Sequence, residues 1–166
     1  MKISWKNVEK NDQSMIESWM SKSDKHNLCM EEQDWATTSR GIFECLKDMR
    51  NGKFYEVMGY VDSCPAVALM LGVEESGKAL NLYNIIVNPL FRGRGIASQA
   101  ISEVLGDKNA LSIKKTYSQI KVFTRPDNQA MKKILLAQGF STPIPDGEFL
   151  LYKKDLTKKN IKEQGR

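Results

Sequence analysis

The chain has 166 residues, of which 41% are hydrophobic and 27% charged, a composition typical of one soluble globular domain with its own core. Its three cysteines, Cys29, Cys45 and Cys64, form no CxxC pair, and its single histidine is His26, so neither a disulfide framework nor a structural metal site is predicted. No apolar run is as long as a membrane span or resembles a signal peptide. We therefore expect a cytoplasmic protein that does not contact a membrane.

The positive charge is unevenly distributed along the chain. From Lys153 to Arg166, six basic residues stand against two acidic ones, so this segment carries +4 of the net charge of +5. We expect residues 157–166 to form a flexible basic tail that follows one domain of residues 1–156. The rest of the chain is nearly neutral, which argues against a protein that binds nucleic acids through a basic surface.

The first fifty residues are predicted to be mainly helical. "KISW" (2–5) predicts a short first strand, and "SMIE" (14–17) matches a capping box that would begin a helix. "SKSDKHN" (21–27) reads as a polar loop, and a second helix follows it and ends at Asn51-Gly52. The apolar stripe of this second helix consists of Trp35, Ile42, Cys45, Leu46 and Met49.

Three strands are predicted next, at residues 53–61, 65–73 and 79–87, with a turn at 74–78 before the last one. Their short connections predict an antiparallel meander. The third strand is apolar on both faces, which is typical of a central strand that helices cover on each side.

Helical spacing returns after Pro89 and ends at Gly106. A strand (118–123), a capped helix (125–140) and a last strand (147–156) complete the chain. This order predicts a mixed α/β (α+β) fold, with helices around a mainly antiparallel central sheet.

Two glycine-rich stretches are candidate phosphate sites. "GVEESGKA" (72–79) nearly fits the P-loop pattern, but Ala79 stands where a magnesium-binding hydroxyl is required and a strand follows in place of a helix. We therefore interpret it as a hairpin turn. "RGRGIA" (92–97) lies instead between a predicted strand and a predicted helix, where an anion site is expected.

The backbone of this second stretch is suited to a diphosphate. The amides of residues 93–98 would be unpaired at the helix N-terminus, where the helix dipole also favours an anion. Gly93 and Gly95 allow a sharp turn and a close approach of the ligand, while Arg92 and Arg94 add positive charge. A dinucleotide fold is disfavoured, because no βαβ unit precedes the stretch.

Two motifs resemble those of one known family. "VNPLFRGRGIA" (87–97) resembles the acetyl-CoA motif of the GNAT family of N-acetyltransferases, V-x-P-x-x-[R/Q]-G-x-G-[I/L]-[G/A]. "NQAMKKILLAQGF" (128–140) is similar to the family's second signature, an Asn that begins a helix ending in Gly-Phe. The predicted order of elements also looks like this family across roughly residues 1–155. The residues that match the first motif are Val87, Pro89, Arg92, Gly93, Gly95, Ile96 and Ala97.

The resemblance implies that acetyl-CoA is the cosubstrate and that no metal takes part. It places the CoA diphosphate on the amides of Arg92 to Ser98, and it pairs the pantetheine arm with the backbone of Ile85 and Val87. The family's contact from the helix-opening residue falls on Asn128. The implied cofactor-binding residues are Ile85, Ile86, Val87, Arg92, Gly93, Arg94, Gly95, Ile96, Ala97, Ser98 and Asn128.

The usual catalytic side chains of the family are missing from this sequence. Leu135 occupies the position of the tyrosine that protonates the CoA sulfur in many relatives, and the fourth strand lacks their glutamate base. Tyr83, Tyr117 and Tyr152 could replace the acid, although each is expected to be a packing residue. The weak catalytic candidates are Tyr83, Asn84 and Tyr152. A water chain, or an amine of low pKa, would replace the base.

Regular alternation along the fourth strand predicts that Tyr83, Ile85 and Val87 share one face and that Asn84 lies on the other. In the family a main-chain amide on this strand polarises the thioester, which here implies Val87 or a neighbour. His26 lies in the region that shapes the acceptor site of the family, and we expect this lone histidine to be solvated.

The leading interpretation is an acetyl-CoA-dependent N-acetyltransferase that transfers an acetyl group directly to a primary amine. Three acceptor classes stay open: a small molecule, a protein amine and an aminoacyl-tRNA. A homodimer is compatible with the family. The alternative is a catalytically weak acyl-CoA-binding or regulatory module, which the missing tyrosine and glutamate favour. A nucleic-acid-binding protein is the third interpretation, and the near-neutral body argues against it.

Overall fold

The computed structural model describes residues 1–50, 52–74, 78–106 and 117–156. Asn51, most of the predicted turn at 74–78 and the predicted basic tail lie outside the described residues. The strands are β1 (Ser4–Asn7), β2 (Lys53–Val61), β3 (Cys64–Val73), β4 (Ala79–Val87), β5 (Gln119–Thr124), β6 (Ile144–Asp146) and β7 (Phe149–Asp155). The helices are α1 (Gln13–Ser18), α2 (Lys22–Asn27), α3 (Trp35–Lys47), α4 (Ile96–Leu105) and α5 (Gln129–Ala137).

The strands form one sheet in the order β1-β2-β3-β4-β5-β7-β6. Only the β4–β5 pair is parallel among the described strands, so the predicted meander of β2, β3 and β4 and the mainly antiparallel sheet are confirmed. β6 was not predicted, because three exposed residues carry no hydrophobic alternation. Among the described residues, no helix is both long and apolar enough to cross a bilayer.

Helices cover both faces of the sheet. On one face, α1 to α3 pack on a cluster that includes Ile16, Met30 and Trp35. On the other face, α4 and α5 pack on a larger cluster that includes Ile101 and Leu135. This arrangement explains why β4 is apolar on both faces, as its sequence predicts.

The region before α3 differs from the prediction. The polar stretch 21–27 forms α2, because Ser21 and Asp24 make a reciprocal capping box: the Asp24 amide donates to the Ser21 hydroxyl at 3.1 Å, and the Ser21 amide donates to Asp24 Oδ2 at 2.8 Å. The predicted box at 14–17 is wrong, since α1 begins at Gln13 and directly follows a 3-10 turn. The end of α3 at Lys47 also precedes the predicted stop.

A β-bulge interrupts β4. Leu82 pairs with Leu71 of β3 and Asn84 pairs with Met70, so Tyr83 is an extra residue without a partner in the ladder. A bulge of this kind shifts the alternation of side chains by one residue and increases the local twist.

Because of the bulge, the side chains of β4 do not alternate as predicted for a regular strand. Tyr83 packs against the α1–α3 cluster, on the same face of the sheet as Ile86, which lies three residues later in β4. Ile85 and Val87 pack on the α4–α5 side, as expected. The prediction that Tyr83, Ile85 and Val87 share one face is therefore wrong for Tyr83 and right for Ile85 and Val87.

β4 and β5 separate half-way along their length. Their parallel pairing extends from Ala79 and Gln119 to Leu82 and Val122 and stops there, although both strands continue. The remaining part of β4 keeps its pairing with β3 as far as Val87. A gap therefore opens in the middle of the sheet, and the candidate site lies at this gap.

Candidate active site

A cavity of about 440 Å³, called the first cavity below, extends from the gap to the beginning of α4. Ten of the eleven predicted cofactor-binding residues line it: Ile85, Ile86, Val87, Arg92, Gly93, Gly95, Ile96, Ala97, Ser98 and Asn128. The exception is Arg94, whose guanidinium lies over the ring of Phe91 at 5.5 Å from its centroid.

The backbone of β4 presents hydrogen-bonding groups to the gap. The Asn88 amide donates to the Ala66 carbonyl oxygen at 2.9 Å, and because the antiparallel ladder alternates, the amide of Ile86 also faces β3. The amides of Ile85 and Val87 face the opposite way, toward the gap that β5 leaves. This half of β4 is consequently an internal strand edge inside the sheet.

The turn after β4 carries a group of backbone amides without protein acceptors. Within the part of the chain that the structure describes, no hydrogen bond is donated by the amides from Gly93 to Ser98, and the first helical bond runs from Gln99 to the Gly95 carbonyl oxygen at 3.0 Å. Gly93 and Gly95 have φ values of +74° and +75°, a left-handed conformation that favours glycine. A Cβ added at either glycine would meet no atom within 4 Å, so open space lies beside this backbone.

The side chain of Arg92 fastens this turn to the helical region. Its Nε donates to the Val87 carbonyl oxygen at 3.1 Å, and its Nη2 donates to the Trp19 carbonyl oxygen at 2.7 Å and to Asp24 Oδ2 at 3.1 Å. Three of the five N–H groups of a guanidinium are thus in reach of protein acceptors. The geometry makes Arg92 a positioning residue for the turn as well as a positive charge beside the first cavity.

Asp24 is ionised when it pairs with Arg92. Burial alone would raise the pKa of its carboxyl, but the Ser21 amide and hydroxyl donate hydrogen bonds to it, and the Arg92 guanidinium lies beside it. Together these groups lower the pKa of Asp24 below its ordinary value of 3.8. Asp24 is not among the predicted site residues, although its place three residues after Ser21 in a capping-box pattern is a usable signal.

Asn128 begins α5 on the other side of the first cavity. Its Oδ1 accepts a hydrogen bond from the Met131 amide at 3.2 Å, which caps the helix. Among the described residues no hydrogen-bond partner for its Nδ2 is found, so this nitrogen is free to donate to a ligand. Leu135 is fully buried in the core and does not line the cavity, so the residue at the family's tyrosine position does not face the site.

A polar bridge joins the end of α2 to the turn before α5. His26 Nε2 lies 2.9 Å from Asp127 Oδ2, and His26 Nδ1 lies 3.2 Å from Glu31 Oε1. Arg125 donates to the His26 carbonyl oxygen at 2.7 Å and to Glu31 Oε1 at 3.0 Å. His26 therefore lies between two carboxylates, and its side chain is 44% exposed, so it is solvated as expected and also makes contacts that the sequence does not predict.

A second cavity of about 350 Å³ lies on the α1–α3 side of the gap. It shares Asn27 and Leu28, at the end of α2, with the first cavity. The gap between β4 and β5 is therefore bordered by one cavity on the side of the glycine turn and by another on the side of α3. The remaining lining residues are Cys29, Thr38, Ile42, Tyr83, Asn84, Phe123, Thr124 and Phe149.

Two of the weak catalytic candidates line the second cavity. The Tyr83 hydroxyl lies 3.4 Å from Asn81 Nδ2, and burial raises the pKa of Tyr83. Asn84 is 5% exposed, and the acceptors of its Nδ2 among the described residues are the sulfur atoms of Met30 at 3.6 Å and Met70 at 3.7 Å. Both residues present polar groups that stay uncharged at neutral pH.

Tyr117 and Tyr152 are core residues. Tyr152 is fully buried, lines neither cavity, and has a hydroxyl without a hydrogen-bond partner in the described chain. Burial raises the pKa of Tyr152, and it raises the pKa of Tyr117 to about 12. The position of Tyr152 does not support a catalytic role.

The family assignment follows from a comparison with family models. Residues 7–140, more than half of the chain, match the model described as the acetyltransferase (GNAT) family. The chain belongs to the acetyltransferase (GNAT) family. It is accordingly an acetyltransferase, and the resemblance noted in its two motifs is confirmed.

Solved structures show the same GNAT fold at low sequence identity. yncA from Salmonella typhimurium, solved with its cofactor acetyl-CoA, is 11% identical over 95% of each chain, with a TM-score of 0.67. An N-acetyltransferase from Staphylococcus aureus Mu50 is 15% identical over 95% of this chain and 100% of its own, with a TM-score of 0.67. The aminoglycoside acetyltransferase AAC(6')-Ib, solved with coenzyme A, is 9% identical over 93% of this chain and 95% of its own, with a TM-score of 0.69. Among curated protein sequences no significant match is found.

Proposed function

We propose that this GNAT enzyme transfers an acetyl group from acetyl-CoA to a primary amine. The observation that carries the proposal is the first cavity, where the free edge of β4, the unpaired amides at the start of α4 and the Nδ2 of Asn128 come together. The yncA and AAC(6')-Ib structures contain acetyl-CoA and coenzyme A, which supports the choice of ligand.

The residues of the cavity fit the chemistry of CoA. A diphosphate needs several convergent N–H donors and a close approach, and the amides from Gly93 to Ser98 offer both next to open space. The arm of the ligand is a chain of amides, which suits the edge formed by Ile85 and Val87. Asn128 Nδ2 supplies a further donor at the gap.

Acetyl-CoA supplies a thioester: the amine nitrogen forms a bond to its carbonyl carbon, the carbon–sulfur bond breaks, and the sulfur leaves with the electron pair. The gap-facing amide of Val87 is a candidate donor to the carbonyl oxygen on which negative charge develops. The Val87 carbonyl oxygen already accepts a hydrogen bond from Arg92, so this peptide is held in place.

Proton transfer in this site does not depend on the family's tyrosine, because Leu135 is buried in the core. A thiol with a pKa near ~8.5 leaves as a thiolate with little assistance, and it takes the proton that the attacking nitrogen loses as the amide forms, directly or through water. No carboxylate is among the described residues that line the second cavity, so the amine is expected to react in its neutral form without a side-chain base. Because the chain belongs to an acetyltransferase family, catalysis is favoured over the alternative of a catalytically weak acyl-CoA-binding module.

The test uses two glycines of the same backbone geometry. Gly95 and Gly147 both have positive φ values, +75° and +57°, and a Cβ at either one meets no atom within 4 Å. Gly95 lines the first cavity, whereas Gly147 lies in the exposed turn between β6 and β7. Gly95→Ala and Gly147→Ala should therefore lose similar amounts of stability, about 1 kcal/mol, from backbone strain.

Only Gly95→Ala should weaken acetyl-CoA binding, by about tenfold or more, because its methyl group occupies the space that the phosphates approach. In wild type and Gly147→Ala, acetyl-CoA or CoA at about a hundred times Kd adds roughly 2.7 kcal/mol of stability. This should raise Tm by about 5–10 °C, with little effect from ATP. Absence of any shift with acetyl-CoA and CoA in the wild type would contradict the proposed function.

A further inference from the structure

None of the ten described residues that line the second cavity has a charged side chain. Its walls are formed by the apolar and aromatic side chains of Leu28, Ile42, Phe123 and Phe149, while Asn84 contributes a neutral amide. Cavities of roughly 300–1,000 Å³ with mainly apolar walls and a few polar groups are typical binding sites for small molecules. At about 350 Å³, this one is at the small end of that range.

The two titratable groups in the cavity wall are neutral near pH 7. Desolvation raises the pKa of the Cys29 thiol, against the lowering effect of the nearby Arg125. Desolvation also raises the pKa of the Tyr83 phenol. Neither group is therefore an anion that would bind an ammonium group of the ligand.

The carboxylates nearest the cavity lie outside its described lining and contact cations, with Glu31 and Glu148 sharing the single guanidinium of Arg125. Glu31 accepts from Arg125 at 3.0 Å, and Glu148 lies 3.9 Å from another nitrogen of the same guanidinium. On the other side, Glu74 pairs with Lys121 at 3.4 Å. None of these carboxylates is among the described residues of the cavity wall, so a second positive charge buried there would lose its hydration without a direct anionic partner.

Building on the proposed function, we infer that the acceptor is a small primary monoamine on an uncharged aromatic or apolar body, bound in the second cavity. The aromatic body packs between Phe149, Phe123 and Ile42, and the amino group reaches the gap beside Asn84, toward the acetyl group held in the first cavity. Diamines, polyamines and lysine-rich peptides are expected to be poorer acceptors, because the described wall contains no anion.

The same apolar wall accounts for the missing base. An amine that enters a site without a carboxylate loses hydration, and this favours its neutral form and lowers its pKa. The neutral amine is the nucleophile that the transfer requires. A polycationic acceptor would need carboxylates that bind its other ammonium groups, which do not react and stay protonated.

The first experiment compares 2-phenylethylamine with 1,4-diaminobutane as acceptors for the full chain, with acetyl-CoA as donor and release of the CoA thiol as the readout. The kcat/KM of the aromatic monoamine should exceed that of the diamine by at least about tenfold. Phe149→Ala should lower kcat/KM for the monoamine about tenfold and leave acetyl-CoA affinity unchanged. Phe43→Ala, at an exposed position of α3 that does not line the second cavity, is the matched control and should change neither value.

A gain-of-function variant tests the charge argument separately. Thr38 lines the second cavity on α3, whereas Thr37 is exposed on the same helix and lines none of the described cavities. Thr38→Glu places a carboxylate at the wall and should raise kcat/KM for 1,4-diaminobutane about tenfold. Thr37→Glu should leave it unchanged.

Acetyl-CoA binding, measured by calorimetry on the same samples, separates the two proposals. Suppose that acetyl-CoA binds and that kcat/KM for the diamine, or for a peptide amine, equals or exceeds that for 2-phenylethylamine. The acceptor assignment is then overturned and the CoA site stands. Binding of acetyl-CoA without turnover of the monoamine would also overturn it. A wild-type protein that does not bind acetyl-CoA would overturn the proposed function and this inference together.

Discussion

The imidazole of His26 lies 2.9 Å from the carboxylate of Asp127, although 101 residues separate the two in the chain. His26 lies in α2, and Asp127 precedes the residue that caps α5, so the pair joins the two elements that border the gap between β4 and β5. Both cavities reach the same end of α2, at Asn27 and Leu28. The His26–Asp127 contact therefore fixes the end of α2, next to the place where acetyl-CoA and the acceptor amine would meet.

This contact predicts a shift in the titration of Asp127. The hydrogen bond from His26 is the main cause that lowers the pKa of Asp127 below its ordinary value of 3.8. In His26→Ala, the pKa of Asp127 should rise toward 3.8, as measured by NMR of the carboxyl carbon. Asp34, whose pKa is lowered mainly by the Thr37 hydroxyl and amide, is an internal control and should not change. An unchanged Asp127 would show that the two side chains do not interact in solution.

The two arginines of the glycine turn should differ in their effect on acetyl-CoA binding. Arg92→Ala removes three hydrogen bonds that hold the turn, and we expect Kd to rise about tenfold. The free energy of unfolding should fall by only about 1 kcal/mol, since the side chain is 40% exposed and water screens its charge.

Arg94→Ala is the matched control for Arg92→Ala, because its guanidinium lies on Phe91 outside the first cavity. Its effect on Kd should stay below about threefold. Equal losses in the two variants, measured by calorimetry, would mean that the arginines act only through their charge.

The parts of the site that the sequence predicts are local. Gly93 and Gly95 follow a strand and precede a helix within a few residues, and this order is sufficient to expect unpaired amides at a left-handed turn. Asn128 is likewise recognisable from its place at a helix start. The antiparallel meander also follows from alternation and short turns.

The parts that were missed depend on contacts between distant segments. Arg92 and Asp24 are 68 residues apart, and no periodicity links them. The bulge at Tyr83 arises from how β3 and β4 pair, so the sequence of β4 alone reads as a regular strand. α2 is mostly polar and depends on the Ser21–Asp24 box, which explains why it was interpreted as a loop.

The pairing of Asp24 with Arg92 predicts a pH dependence of stability. Because the pKa of Asp24 in the folded protein lies below 3.8, its stabilising contribution is complete above that pH and is lost as the pH falls through the lowered value. Asp24→Asn should therefore reduce the free energy of unfolding by about 1 kcal/mol at pH 7, and the difference from wild type should shrink below about pH 3.

Urea denaturation at the two pH values checks this prediction. Asp146→Asn, at an exposed position in β6, is the control variant and should change stability by less than about 0.5 kcal/mol. A deficit of Asp24→Asn that stays constant with pH would indicate lost packing rather than a lost charge.

The burial of Leu135 predicts that a tyrosine introduced there will not act as an acid. Leu135 is fully buried, whereas its neighbour Leu136 is 53% exposed. Leu135→Tyr should therefore lower the free energy of unfolding by about 1–3 kcal/mol, because the larger side chain overfills the core and buries a hydroxyl. Leu136→Tyr should change it by less than about 0.5 kcal/mol.

In both variants kcat for the folded enzyme should stay within about twofold of wild type, since neither side chain lines the cavity that would hold the CoA sulfur. A tenfold rise in kcat for Leu135→Tyr alone would show that this position does reach the sulfur, and that proton donation limits the wild-type reaction.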